Sequence, residues 1–192
     1  VKSQRIKKLN EEIIESFSQE KLLLGHGRLD SKLMLIGEAP GAREIELRQP
    51  FVGQAGRHLD KFLEAVDIGR KDVYITNVVK YRPIKENKKT GRLSNRTPTK
   101  EEIDNFKGYL YEEVIIVNPK IVVTLGNIPL QALFNENLKI GEIHGALMKV
   151  QLWDRWYKVF PLYHPAAVIY RPELREVYLE DLFALKEIVD NI

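Results

Sequence analysis

Three residues of this 192-residue chain stand out for their type and setting: Glu38, Asn77 and His164. Each follows a short apolar run directly. Glu38 comes after "LMLIG", Asn77 after "VYIT" and His164 after "VFPLY". A carboxyl and an imidazole exchange protons, and an amide offers a fixed donor beside a fixed acceptor. Taken singly each has a plainer explanation. A polar residue at a strand end commonly caps the next helix, and a lone histidine is more often a hydrogen-bonded structural group. Together, an acid, an amide and an imidazole are the makings of an active site.

Their convergence depends on the elements that carry them. "KLMLIG" (32–37), "DVYIT" (72–76), "IVVTLG" (121–126) and the second arm of "ALMKVQLWDRWYKVFPLYH" (146–164) read as strands, the last entered by a hairpin near Asp154. Between them run helical patterns. Leu59, Phe62, Leu63 and Val66 share one face of 55–69, and Thr99 with Glu102 forms a capping signal ahead of a helix to about 119. Further helices are expected at 127–134 and 172–192, the latter with Pro172 in its first turn, and at the N-terminus, where Ile6, Leu9, Ile13 and Phe17 recur. Alternating strands and helices predict a three-layer α/β/α fold around a mainly parallel four-stranded sheet, one domain over 1–192. Ligands of such sheets bind beyond the carboxyl ends of the strands. Glu38, Asn77 and His164 therefore share one edge, closed by Gly126-Asn127.

Two glycine-rich turns belong to that edge. "GEAPG" (37–41) permits a close backbone approach, and lacks the Gly-Lys-Ser/Thr ending of a phosphate loop. "PFVGQAG" (50–56) places Phe51 on a loop, as a core anchor or as a stacking platform for a planar ligand.

The charge pattern points to a polyanion. The whole chain carries +3, yet residues 80–100 hold Lys80, Arg82, Lys85, Lys88, Lys89, Arg92, Arg96 and Lys100 against Glu86 alone. Such a run is often only a solvated loop; as an electrostatic footprint it would suit nucleic acid. The composition excludes other classes. With no cysteine there is no disulfide and no thiolate metal site. No apolar stretch approaches a membrane span, and residues 1–21 have no signal-peptide core, so a cytoplasmic protein is expected.

In order along the chain, "GEAPG", "PFVGQAG", "TNVVK" and "HPAAVIYRPEL" resemble the uracil-DNA glycosylase superfamily, most closely its family 4, whose members usually carry an iron–sulfur cluster. The likeness runs from about Leu33 to the C-terminus. It implies a DNA-repair enzyme that flips uracil out of single- or double-stranded DNA and hydrolyses its N-glycosidic bond. It also implies a monomer with no membrane partner, acting at the prokaryotic nucleoid. Gly37 and its turn would lie against sugar and base, Phe51 would stack on the uracil, and Asn77 would match O4 and N3–H. Glu38 would position water and stabilise positive charge on the sugar; His164 would donate to O2. Lys80, Arg82, Lys85, Lys88, Lys89, Arg92 and Arg96 would meet the backbone. After His164, Val168 and Ile169 would be wedges and Arg171 a phosphate or groove contact.

The departures are informative. Tyr81 and Phe106 stand where family 4 has cysteines, and the N-terminal cysteine pair is missing, so no cofactor is expected. Packing of Tyr81 and Phe106 against the N-terminal segment is expected instead. The stretch between "YRP" and "NRTP" is longer than the family's. A related branch traps DNA covalently through a loop histidine; residues 80–100 have none, and Ala39 replaces that branch's glutamine, so turnover is expected. Two other readings stay open: a catalytically inactive DNA-binding module of the same fold, and a hydrolase of free nucleotides.

Overall fold

The computed structural model describes all residues, Val1–Ile192. Its main sheet has six strands. β1 is His26–Gly27, β2 Leu33–Gly37, β3 Val73–Asn77, β6 Ile121–Leu125, β7 Met148–Leu152 and β8 Arg155–Leu162, arranged β1-β3-β2-β6-β8-β7. The four central strands are parallel, as expected. Each edge adds an antiparallel strand: two-residue β1 pairs with β3, and β7 forms the hairpin with β8. From β2 the chain goes first to β3 on one side and later to β6 on the other, which opens a crevice at the strand ends.

Side-chain alternation explains the layers. Met34, Ile36, Tyr74 and Val122 face one way, into a core with α1 (Lys2–Ser16), α4 (Lys100–Val117) and α5 (Asn127–Phe134). Leu33, Leu35, Ile75 and Val123 face the other, against α3 (Gln54–Glu64) and α8 (Arg175–Asp190). The capping box that starts α4 is present, with Thr99 accepting from the Glu102 amide and Glu102 accepting from Thr99 N. Short helices α2 (Ala42–Leu47), α6 (Ile140–Ile143) and α7 (Pro165–Tyr170) complete the fold. Pro172 opens a 3₁₀ turn, Pro172–Leu174, rather than α8 itself.

The long basic stretch is ordered as a second sheet. β4 (Ile84–Glu86) and β5 (Leu93–Asn95) pair antiparallel, with Ile84 opposite Asn95 and Glu86 opposite Leu93. The turn is closed by the Asn87 side chain, which accepts from the amides of Lys89 and Thr90. Gly91 supplies the left-handed residue, φ 66°.

The iron–sulfur cluster suggested by the resemblance has no place here. Phe17 stacks on Phe106 with ring centroids 4.1 Å apart, and Tyr81 meets Phe106 edge-on at 5.6 Å. Tyr109 closes the group against Phe17 at 6.2 Å, and its hydroxyl lies 2.9 Å from that of Ser16. Two of these four rings, Tyr81 and Phe106, stand where the resemblance would put cysteines, and the chain has no thiolate to hold a cluster. The four rings join the end of α1 to α4 and to the segment after β3, with Arg5 to Glu112 as a second tie.

Candidate active site

The strand ends bring Asn77 and His164 together with Phe51. A cleft of about 370 Å³ is lined by Ala39, Gly41, Glu44, Phe51, Asn77, Asn95 and His164, among others. A larger groove of about 640 Å³ runs beside β1 and gathers none of the strand-end polar groups.

Gly37 ends β2 opposite Asn77. A Cβ built on it would lie 2.5 Å from Asn77 Oδ1 and 2.7 Å from the tip of the Phe51 ring. Only a bare Cα leaves room for amide and ring to meet there. Phe51 holds a left-handed backbone, φ 51°, unusual for an aromatic residue. Its surroundings enforce this. The Arg70 guanidinium donates to the carbonyls of Pro50 and Phe51 and pairs with Asp60 at 2.6 Å. Gly56 lies so close that a Cβ would stand 1.7 Å from Phe51 O. Glu44 on α2 accepts from Gly53 N at 2.8 Å, joining the first glycine-rich turn to the second.

His164 caps α7. Its Nδ1 accepts from Ala166 N at 3.1 Å, which leaves the proton on Nε2. Burial pushes its pKa below the ordinary histidine value, so the imidazole is neutral at physiological pH. Its ring centroid lies 6.2 Å from that of Phe51. The site therefore holds an aromatic ring, a buried amide and a neutral imidazole around one space. Glu38 stands between Gly37 and Ala39, half-buried, and its carboxyl is not among the groups lining the cleft. Burial raises its pKa above the usual carboxylate value.

A model of the uracil DNA glycosylase superfamily matches residues 24–184. The chain belongs to the uracil-DNA glycosylase superfamily. It is 38% identical over 168 residues to a type-4 uracil-DNA glycosylase of Archaeoglobus fulgidus, covering 85% of this chain and 80% of that protein. A type-4 enzyme of Saccharolobus solfataricus is 37% identical over 172 residues, with 87% and 76% covered. One of Thermotoga maritima is 34% identical over 175 residues, with 90% and 85% covered.

Two of the DNA contacts expected from the sequence, Lys80 and Val168, are enclosed in the fold. Lys80 is fully buried, 0% exposed, and its ammonium pairs with Glu113 at 2.6 Å, so it meets no phosphate. Val168 is 6% exposed and belongs to the core under α7; the short helix turns it inward. Tyr170, at the end of α7 and 80% exposed, is the residue that projects, with Ile169 half-buried beside it. Arg96 is committed to a two-pronged ion pair with Glu102, and Arg82 donates to Asn95 Oδ1 at 2.6 Å. Lys85, Lys88, Lys89 and Arg92 remain exposed on the β4–β5 hairpin; Arg171 is exposed beside Glu173. Sequence reasoning missed Glu44 and Asn95. Neither follows an apolar run, and both reach the cleft from elements that had not been foreseen.

Proposed function

We propose that this chain hydrolyses the N-glycosidic bond of uracil in DNA, taking the base out of the stack into the cleft and leaving an abasic site. The observation that carries the reading is the convergence of Phe51, Asn77 and His164 on one space bounded by Gly37. Phe51 offers its face to the ring. Asn77 offers an acceptor to N3–H and a donor to O4. His164 Nε2–H donates to O2, where negative charge collects as the C1′–N1 bond breaks and its electron pair goes to the base. Water oxygen then bonds to C1′ and gives up a proton. Glu38, with its raised pKa, is the group assigned to hold that water and take the proton, acting from the rim of the cleft.

The test is abasic-site formation on single- and double-stranded oligonucleotides containing one uracil, for the parent and Glu38→Ala. The parent should yield alkali-labile product, and the variant should be about 100- to 1000-fold slower. A parent that binds DNA without forming product would reject the enzyme and leave the DNA-binding module.

The DNA path is assigned to the β4–β5 hairpin, with Tyr170 as the wedge in place of Val168. Replacing Lys85, Lys88, Lys89 and Arg92 together by glutamine should weaken binding and flatten its salt dependence. Each lost duplex phosphate contact removes about 0.9 from the log–log slope. An unchanged slope in a titration from low to moderate salt would assign the hairpin no part in binding.

A further inference from the structure

Lys80 is the one buried cation for which the reaction above has no use. Its ammonium has three acceptors: Thr76 Oγ1 at 2.6 Å, Asn77 O at 2.8 Å and Glu113 Oε2 at 2.6 Å. Glu113 reaches in from α4 and is equally enclosed. It accepts from Tyr74 OH at 2.9 Å and from Thr76 Oγ1 at 3.1 Å. A Cβ on Gly25 would stand 2.1 Å from its carboxylate, so the chain passes there with no space to spare. All three ammonium protons are used, and a pair so buried is costly to disturb on one side only.

Its position gives it a task. β3 ends at Asn77, and β1 accompanies β3 only at Tyr74 and Ile75, so the outward carbonyl of Asn77 has no strand to pair with. Lys80 supplies the missing donor. The other side of the same peptide is held as well, because Val78 N donates to Gly37 O at 2.9 Å. The Asn77–Val78 peptide is thus pinned at both its oxygen and its nitrogen. That fixes the direction in which the Asn77 side chain leaves the backbone, over Gly37 and toward Phe51.

We propose that Lys80, seated by Glu113, is the positioning residue for the base-reading amide of Asn77, so that a buried ion pair behind the sheet sets uracil recognition in front of it. This rests on the reading of Asn77 given above.

The experiment is single-turnover excision by the parent, Lys80→Met/Glu113→Gln, Asn77→Ala, and the triple variant. The paired substitution removes both buried charges together, and the glutamine still faces Tyr74 and Thr76. It should slow uracil excision about 10- to 100-fold, the scale of a lost hydrogen bond to a charged group, with the dissociation constant for uracil-containing DNA within about twofold. The decisive arm is the triple variant. If Lys80 acts through Asn77, the paired substitution should cost nothing further once Asn77 is alanine. A general loosening of the fold would multiply the two losses and would overturn the proposal, as would a folded paired variant that excises within twofold of the parent. Should the paired variant not fold, Glu113→Asp serves in its place. It keeps the charges matched and draws the ammonium one methylene away from the Asn77 carbonyl; parental rate in that variant overturns the proposal equally. A parent that excises uracil while Asn77→Ala has no effect would remove the base-reading role itself, a failure distinct from that of Lys80.

Discussion

Asn77→Asp is expected to abolish most uracil excision while leaving the protein folded. The side chain is buried at the end of β3, and its Oδ1 lies over Gly37, so the replacement has the same shape and the same seat. The chemistry differs at one atom. An ionised aspartate accepts at both oxygens, so it still takes N3–H but faces uracil O4 with a second acceptor. Leaving a buried acceptor without its donor costs about 1–3 kcal/mol, and the repulsion adds to that. A loss of at least one to two orders of magnitude in kcat/KM follows. The same carboxylate accepts from the amino group of cytosine, and weak cytosine excision is the expected gain when the carboxyl or cytosine N3 carries a proton. Matched uracil and cytosine oligonucleotides measure both. Parental preference for uracil in the variant would mean that Asn77 is a cap on the segment after β3 and reads nothing.

His164→Ala is expected to fold and to lose about 100- to 1000-fold in rate, the usual contribution of a donor aimed at developing charge. A companion substitution, His164→Gln, tests the protonation state. Burial lowers the His164 pKa in the folded protein, so the unfolded chain takes up the proton first as pH falls. The stability this histidine contributes is complete above about pH 6.5, its ordinary value, and is lost as pH drops through the folded pKa. Protonation there also removes the acceptor that Ala166 N requires. The difference in thermal midpoint between parent and His164→Gln should therefore be constant from pH 8 to about 6.5 and shrink at lower pH. A difference that does not change down to pH 5 would show that the fold does not hold the imidazole neutral.

The sheet and the edge that carries the cleft were legible because their signals are local. Apolar runs ending in Gly37, Asn77 and His164 mark strands and strand ends without reference to anything distant, and the Thr99–Glu102 box starts α4 within four residues. What escaped notice depends on partners remote in sequence. Nothing around Lys80 distinguishes it from the exposed lysines that follow; the distinction is Glu113, 33 residues later on another element. Val168 faces the core and Tyr170 faces solvent, which the sequence did not show because α7 is too short for a period; the single turn after His164 decides which side chain points inward. Asn95 lines the cleft only because Asn87 and Gly91 fold the basic stretch back on itself.

The ring cluster of Phe17, Tyr81, Phe106 and Tyr109 bears on how this enzyme is supplied and how it ages. An iron–sulfur cluster needs iron, sulfide and thiolates to hold it. Hydrocarbon packing needs none of these. With no cysteine in the chain, this corner of the fold is closed by its own side chains. Peroxide finds in it no cysteine to carry up the oxidation ladder, only two methionines, of which Met34 is fully buried within the sheet. A fold built in this way offers an oxidant little sulfur through which to disturb it.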